Sequence, residues 1–538
     1  MSDIPVQLAE LEDSDVASEV EVDNEDESQL DHVILENSTN PEETQGKPKK
    51  KKKHHKKKKK VAAEEVVAGP VSSSSVSNGS PSSAKLNSFR DLLEKLALAD
   101  SLSDPVDKRK SMDQYRFWKT QPVVKFDQPI DDEGPIETKT TDQIPDSPYP
   151  LLEEFEWETM DLTNPEISNE IFDLLCNNYV EDADSTFRFK YAPEFLDWAM
   201  RIPNYQPEWH VGVRVVATKK LVAYISGIPV NLRLRNNKIA GAEINFLCVH
   251  KKLRAKRLTP LMIKEVTRRI NKSGIWQALY TAGVVLPKPV STCRYYHRSL
   301  NWPKLHDIGF SPLPAGMTKA KMIARYKLPE TTATLGLRLM QRDDIDQVYD
   351  LLSAYLAKFE LAQEFEKGEL LHWLMYTYGL DGKLNQEMDP DRIVWAYVVE
   401  DSNGLITDFM SFYRLQSTVI SNDKHETLNA AYQFYYASSI ALETQSRADS
   451  VNIVKLKARL MDLFNDALIL AKRLDFDVFN ALTLLDNPLF LEELKFGGGD
   501  GYLHYYLFNY KAFPINGGYL KDGQLDQKNR SGVAVVML

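Results

Sequence analysis

The sequence predicts a mixed α/β fold made of two similar halves behind a long disordered tail. Three observations carry this reading: the charged, Ser-rich make-up of residues 1–110, the apolar and aromatic content from Tyr115 onward, and an order of elements met twice. Residues 1–46 hold fifteen Asp or Glu and no Lys or Arg, and residues 47–60 (KPKKKKKHHKKKKK) hold eleven lysines. With the serine-rich stretch that follows, they offer too little apolar surface to offset chain entropy. Leucines at helical spacing over 88–100 predict one short helix within that tail. In the first half, alternation over 209–230 predicts a hairpin, 243–250 a buried strand, 259–272 an amphipathic helix and 275–285 a further strand. The second half repeats the order: a hairpin over 391–415 turning at Ser402-Asn403-Gly404, a strand over 428–439, a helix over 454–475 and a strand over 476–485. Leu456, Leu460, Leu463, Ala467 and Leu470 form the apolar stripe of that helix. The Pro and turn-forming residues of 325–345 mark the joint, which gives a tail over 1–110 and halves over 111–325 and 326–538.

Composition excludes several classes. The 538 residues carry 66 basic and 77 acidic side chains, a net charge of -11, which argues against a protein that binds DNA with its whole surface. Three scattered cysteines, Cys176, Cys248 and Cys293, form neither a disulfide framework nor a zinc module, and they fit a reducing compartment. No run of about 18 apolar residues offers a transmembrane helix, and the acidic start does not read as a secretory signal. A cytosolic protein is therefore expected. The lysine block reads as an electrostatic anchor for ribosomal RNA or anionic lipid, as a nuclear signal, or as a solvated spacer.

Four segments could carry chemistry. EINFLCVHKKLRAKRLTP (243–260) ends a strand in a basic loop, with Thr259 and Pro260 as helix-start signals. Free N–H groups there, with Lys252, Arg254, Lys256 and Arg257, suit a phosphorylated cofactor, and a basic turn that binds nothing fits the same residues. The glycines of KFGGGDG (495–501) allow positive φ and close backbone approach, with Asp500 as a carboxylate beside them; a tight turn is the plainer reading. Glu181, Asp182 and Asp184 form an acidic loop between aromatics, suited to a cation or merely solvated. The chain ends SGVAVVML, uncharged after Arg530, so this end is expected to enter the core as a strand and to take its α-carboxylate with it. His210, His297, Ser299 and Cys248 do not make a triad: no GxSxG surrounds a serine, and Cys248 lies in an apolar strand pattern.

Together these segments resemble the glycylpeptide N-tetradecanoyltransferase (N-myristoyltransferase) family. EINFLCVHK (243–251) and KFGGGDG (495–501) match its two signatures, and YRFWKTQPV (115–123), NYVEDADSTFRFKYAPEFL (178–196), YTAGVVLPKPVSTCRYYHRSLN (280–301) and FDVFNAL (476–482) match in the same order. The resemblance runs from about Ser111 to the C-terminus. It implies a tandem pair of acyl-CoA N-acyltransferase-like halves with pseudo-twofold symmetry, the first binding myristoyl-CoA and the second the peptide. The implied reaction moves myristate from the CoA thioester to an N-terminal glycine amine. No permanent cofactor and no metal are implied.

Carried over residue by residue, the backbone N–H groups of Phe246 and Leu247 would form the oxyanion hole. Arg116, Phe117, Trp118, Cys248 and Val249 would contact the acyl-CoA, and Ala255, Arg257, Leu258 and Thr259 the CoA phosphates. Tyr179, Asp182, Asp184, Thr281, His297 and Asp500 would meet the peptide, with Thr281 near the glycine amine. The base would be the terminal carboxylate of Leu538. A glycine amine with pKa near 7.7–8.0 is mostly protonated at neutral pH, and a desolvated carboxylate close by can take its proton. The sequence departs from the family at Ala255, where serine is common, at Gly498, where a branched residue is usual, at Ala183 within the acidic run, and in a longer stretch between Asn509 and Val533. A related CoA-dependent N-acyltransferase and a silent acyl-CoA-binding protein are the alternative readings. Glycine-starting proteins and, through Lys47–Lys60, the ribosome are the expected partners. With no coiled coil in view, a monomer is expected.

Overall fold

The computed structural model describes residues 111–180, 186–254, 256–376, 387–389, 391–420 and 422–538. The tail, its lysine block and the helix expected at 88–100 lie outside the described residues. The first half supplies β1 (Phe155–Thr159), α1 (Pro165–Asn178), β2 (Phe187–Lys190), α2 (Pro193–Met200), β3 (His210–Val215), β4 (Leu221–Leu234), β5 (Asn237–Val249), α3 (Leu258–Lys272), β6 (Gln277–Ala282) and β7 (Ser291–Ser299). The second supplies β8 (Leu337–Leu339), α4 (Ile345–Leu356), β9 (Leu361–Gln363), α5 (Lys367–Met375), β10 (Val394–Glu400), β11 (Ile406–Val419), β12 (Thr427–Ser438), α6 (Ser450–Arg473), β13 (Val478–Leu482), β14 (Gly497–Phe508) and β15 (Val533–Ala534).

These fifteen strands form one sheet, ordered β15-β9-β4-β5-β6-β14-β7-β13-β12-β11-β10-β8, with β1 and β3 branching from β4 and β2 pairing with β11. The repeated order is visible in the pairing. In each half an antiparallel hairpin leads to a long strand, a helix crosses over, and the next strand returns parallel to it, β5 with β6 and β12 with β13. Each half then gives its last strand away. β7 pairs with β13 of the second half, β14 pairs with β6 of the first, and β7 and β14 pair with each other. This reciprocal exchange is the pseudo-twofold, and it welds both halves into one continuous sheet.

Local chemistry explains most boundaries. Asn164 caps α1 by accepting from the Glu166 N–H, with Pro165 at the first helical position. Asp449 caps α6 through the Val451 and Asn452 N–H groups, and the stripe Leu456, Leu460, Leu463, Ala467 and Leu470 is buried. Two expectations are corrected. Thr259 does not cap α3: the helix begins one residue earlier, after Arg257 in a left-handed conformation (φ 61°) with no side-chain cap. The glycines at 497–501 do not use positive φ and are not a turn; Gly497–Phe508 is strand β14, irregular between Gly498 and Tyr502. Their smallness serves close approach instead, since a Cβ on Gly499 would lie 2.5 Å from His297 Nε2 and one on Gly498 3.2 Å from the Arg294 guanidinium.

The longer stretch before the C-terminus folds back on itself. Gly517 bridges Ser531, and the Asp526 carboxylate takes hydrogen bonds from the Asn516 and Asn529 side chains. Below it, buried Asp486 meets the guanidinium groups of Arg447 and Arg530 at 2.6 and 2.8 Å, and Arg447 also donates to the Ser531 carbonyl. The chain then enters the core as β15, parallel to β9. All six residues Val533–Leu538 are buried, Leu538 with 7% exposure.

Candidate active site

The site is organised by strand β5. Alternation along a strand sends neighbouring side chains to opposite faces. Ile244 and Leu247 face a narrow apolar cavity beneath α3, where Trp118, Ile263, Val266, Ile270 and Tyr280 also line the wall. Two positions that line one face would normally be an even number apart. Here they are three apart because β5 bulges: Phe246 and Leu247 together oppose Ile225, between the pairs Ser226–Asn245 and Tyr224–Cys248. Phe246 takes φ 54°, an unfavourable conformation for a bulky side chain, and the extra residue leaves the ladder. A strained, fully buried Phe at a bulge is a conformation held for a purpose. Tyr179 packs on the Phe246 ring with centroids 6.1 Å apart, its hydroxyl beside the Phe246 amide.

The cavity is dry and aromatic at one end. The Trp118 ring stacks on Tyr280 at 5.4 Å, and Tyr280 stacks on Tyr506 at 5.0 Å. Phe117 packs edge-on against Trp118, while Arg116 is exposed and does not line the cavity. At the end of β5, the His250 ring accepts from the Lys252 N–H, and Lys251 and Arg254 are tied to Asn178. This basic loop leads through Arg257 into Leu258 and Thr259, the uncapped start of α3, where first-turn N–H groups favour an anion. Ala255 lies outside the described residues.

The other face of the sheet carries the polar machinery. Parallel pairing of β5 with β6 ends at Glu243 and Leu279; two residues further on each strand stand Asn245 and Thr281, and Thr281 pairs with Tyr505 of β14. The Thr281 Oγ1 and the Asn245 Oδ1 are both buried and have no hydrogen-bond partner. The C-terminal arm runs past Tyr505 and Tyr435. The Tyr505 hydroxyl donates to the Val535 carbonyl at 3.0 Å, and the Val536 N–H donates to the Tyr435 hydroxyl at 3.1 Å. Leu538 lies two residues beyond this clamp.

Other sequence-derived candidates fall around the same region or are set aside. His297 stacks with Tyr295, meets Phe310 edge-on and bonds Asn480 Oδ1 through Nδ1 at 2.7 Å; burial lowers its pKa, so the ring is neutral at pH 7. Asp500 is exposed next to it. Val249 is buried at the end of β5, and burial pushes the neighbouring Cys248 thiol up to about 12, which makes it no nucleophile. His210 bonds Tyr224 within the core. Glu181, Asp182 and Asp184 lie outside the described residues. Among the described residues no helix is long and apolar enough to cross a membrane.

The sequence reading did not single out Glu243, Asn245, Tyr435 or Tyr505. A signal existed for the first two: EIN alternates polar-apolar-polar inside an otherwise apolar run, which marks a polar stripe within a buried strand. Tyr435 and Tyr505 give no such signal, because an aromatic residue in a strand usually means packing alone.

Comparison with known proteins matches this architecture. The N-terminal domain model of myristoyl-CoA:protein N-myristoyltransferase fits residues 135–293, and the C-terminal domain model fits residues 307–536. Curated glycylpeptide N-tetradecanoyltransferases are similar over most of their length. That of Aspergillus fumigatus is 53% identical over 443 residues, covering 82% of this chain and 87% of the relative. That of Saccharomyces cerevisiae is 49% identical over 457 residues, covering 84% and 99%. The crystal structure of Saccharomyces cerevisiae N-myristoyltransferase with bound myristoyl-CoA superposes with a TM-score of 0.77 at 50% identity, over 80% of this chain and all of that one. Two matched domain models, half the residues identical and a shared fold leave one conclusion: this chain belongs to the myristoyl-CoA:protein N-myristoyltransferase family.

Proposed function

We propose that this chain transfers myristate from myristoyl-CoA to the N-terminal glycine amine of proteins, with its own terminal carboxylate as base. In this reading the first half (111–325) holds the acyl-CoA and the second (326–538) supplies the carboxylate and part of the peptide groove. The acyl chain occupies the dry cavity under α3, and the CoA phosphates meet the basic loop and the start of that helix. Attack of the amine nitrogen on the thioester carbon forms a C–N bond and places negative charge on the thioester oxygen. N–H groups of Phe246 and Leu247, freed by the bulge, receive that charge. The C–S bond then breaks, and the second proton given up by the attacking nitrogen goes to the sulfur, so that CoA leaves as the thiol. Before attack the glycine ammonium must lose a proton; Thr281 Oγ1 and Asn245 Oδ1 are unpaired acceptors that can hold it, and the Leu538 carboxylate takes the proton. His297, Tyr179 and Asp500 border the peptide beyond the glycine, with Asp182 and Asp184 as its acidic contacts.

The observation that carries this reading is the buried C-terminal arm, hung from Tyr435 and from Tyr505, which pairs with Thr281. A free α-carboxylate belongs in water unless it has partners or a task. Amidating the carboxyl of Leu538 by semisynthesis tests the base. Turnover of a Gly-starting peptide should fall by about 10²–10⁴, the usual contribution of a general base, with myristoyl-CoA affinity kept. Unchanged turnover would remove the terminal carboxylate from the mechanism. The enzyme works in the cytosol as a monomer, and the Lys47–Lys60 block anchors it to ribosomes; a chain lacking residues 1–110 should keep peptide turnover and lose salt-sensitive ribosome association.

A further inference from the structure

Glu243 is a buried carboxyl, 5% exposed, with no cationic partner among the described residues. Its Oε1 accepts one hydrogen bond, from Asn245 Nδ2 at 2.6 Å, two residues along the same strand face. The titratable groups facing it are the hydroxyls of Tyr435 on β12 and Tyr505 on β14, the same two that clamp the C-terminal arm. Burial raises the pKa of both tyrosines, so neither is an anion or a proton donor of consequence at neutral pH. Burial also pushes Glu243 up to about 7. An acid kept at this depth without an ion pair is costly, and core packing would be better served by an apolar residue.

The hydrogen bond has a directional consequence. An amide has one donor end and one acceptor end. With Nδ2 committed to Glu243, the acceptor Oδ1 of Asn245 is turned away from that carboxyl, and this is the buried Oδ1 that lacks a partner. Turned the other way, Asn245 would present N–H donors to an incoming ammonium group and repel it. Among the described residues no other hydrogen bond fixes the side chain of Asn245; Ser226 Oγ bonds only its backbone carbonyl.

We propose that Glu243 is a positioning residue for the reaction: it holds Asn245 with its Oδ1 presented to the glycine amine. The proposal rests on the assignment of Asn245 and Thr281 to that amine. Glu243→Gln retains an acceptor oxygen for Asn245 Nδ2, whereas Glu243→Leu removes it and lets the amide turn. The leucine variant should show a rise of about tenfold or more in KM for a Gly-starting peptide, the size of one lost charged hydrogen bond. Its Kd for myristoyl-CoA should stay at the full-length enzyme's value, since Glu243 does not line the cavity under α3. The glutamine variant should stay within about threefold of wild type on both measures. Should the leucine variant fail to fold, Glu243→Met carries the same expectation, and the glutamine variant still decides.

Three results would overturn the proposal: a wild-type peptide KM in the leucine or methionine variant, a glutamine variant as impaired as leucine, or parallel loss of myristoyl-CoA affinity. These are distinguishable from failure of the functional reading. If amidated Leu538 abolishes turnover while Glu243→Leu behaves as wild type, only the role of Glu243 falls. If the full-length chain does not acylate a Gly-starting peptide at all, the functional reading falls first.

Discussion

Phenylalanine at Tyr435 and Tyr505 should release the C-terminal arm in a stepwise and strongly non-additive way. The arm Val533–Leu538 is between 0 and 7% exposed. Burying the side chains of Val535, Val536, Met537 and Leu538 is worth about 1.5–3 kcal/mol each, roughly 6–12 kcal/mol together. Ordering the six backbone units costs about 1–2 kcal/mol each, again roughly 6–12 kcal/mol. These terms nearly cancel, so the clamp hydrogen bonds decide whether the arm is docked. Tyr505→Phe leaves the Val535 carbonyl buried without its 3.0 Å partner, at a cost of about 1–3 kcal/mol, and Tyr435→Phe does the same to the Val536 N–H at 3.1 Å. Each loss shifts the docked-to-free ratio by about 5- to 150-fold. A single variant can absorb that shift if the arm begins well docked; the double variant cannot. The assay pairs kcat on a Gly-starting peptide with the rate at which carboxypeptidase trims Leu538. In the double variant, kcat should collapse and trimming should accelerate together, while myristoyl-CoA affinity holds. A double variant with full kcat and a protected C-terminus would refute the clamp.

Other expectations follow from the same geometry. Ile263→Phe, on the cavity wall under α3, should shift acyl-chain preference from tetradecanoyl toward dodecanoyl-CoA. Two methylenes are worth about 1.6 kcal/mol, so competition assays should lose a preference of roughly 15-fold. Asp486→Asn should cost about 3–5 kcal/mol in denaturant unfolding, because Arg447 and Arg530 keep their buried charges without the carboxylate. Burial depresses His210 to about 3 and His504 to about 4, from an ordinary 6.5. The unfolded chain then binds protons that the folded one refuses, so this stability is present above pH 6.5 and is lost as pH falls toward 4. The decline should be about 1.4 kcal/mol per pH unit for each histidine, and His210→Gln should make the unfolding free energy less steep by one such increment.

The periodic signals read cleanly because they report burial. Hairpins, the α6 stripe and the apolar C-terminus each gave away a face or a strand, and the structure buries all of them. What the pattern did not disclose is pairing. β7 and β14 change partners between halves, and nothing in STCRYYHRS distinguishes a strand donated to the other half from one kept at home. Thr259-Pro260 reads as a helix start, yet α3 begins at Leu258 because Arg257 adopts the left-handed conformation. The glycines of 497–501 read as a turn because conformational freedom is the commoner use of glycine. Here they leave room for His297 and Arg294. The polar stripe Glu243-Asn245 was present in the letters, and only the register with β6 and β14 gives it neighbours.

The exchanged strands also explain why a duplicated fold carries one reaction centre. The second half repeats the bulge: Ser411 on β11 opposes both Phe434 and Tyr435 on β12, as Ile225 opposes Phe246 and Leu247. The two bulges differ in what the backbone and side chains do. Phe246 sits at φ 54°, whereas Phe434 keeps a negative φ, and the Tyr435 carbonyl is taken by the Ser411 hydroxyl at 2.6 Å. The unstrained, satisfied bulge presents Tyr435 to the C-terminal arm; the strained one is left with its amide beside Tyr179. Strain of about 1–3 kcal/mol persists only where the surroundings enforce it. Because β14 crosses into the first half beside β6, Tyr505 of the second half stands next to Thr281 of the first. An arm held by Tyr435 and Tyr505 is thereby tied to the twin bulge at one hydroxyl and to the neighbour of Thr281 at the other. Without the exchange, the terminal carboxylate and the bulge would belong to separate sheets, so the division of labour between the halves is a consequence of the strand order itself.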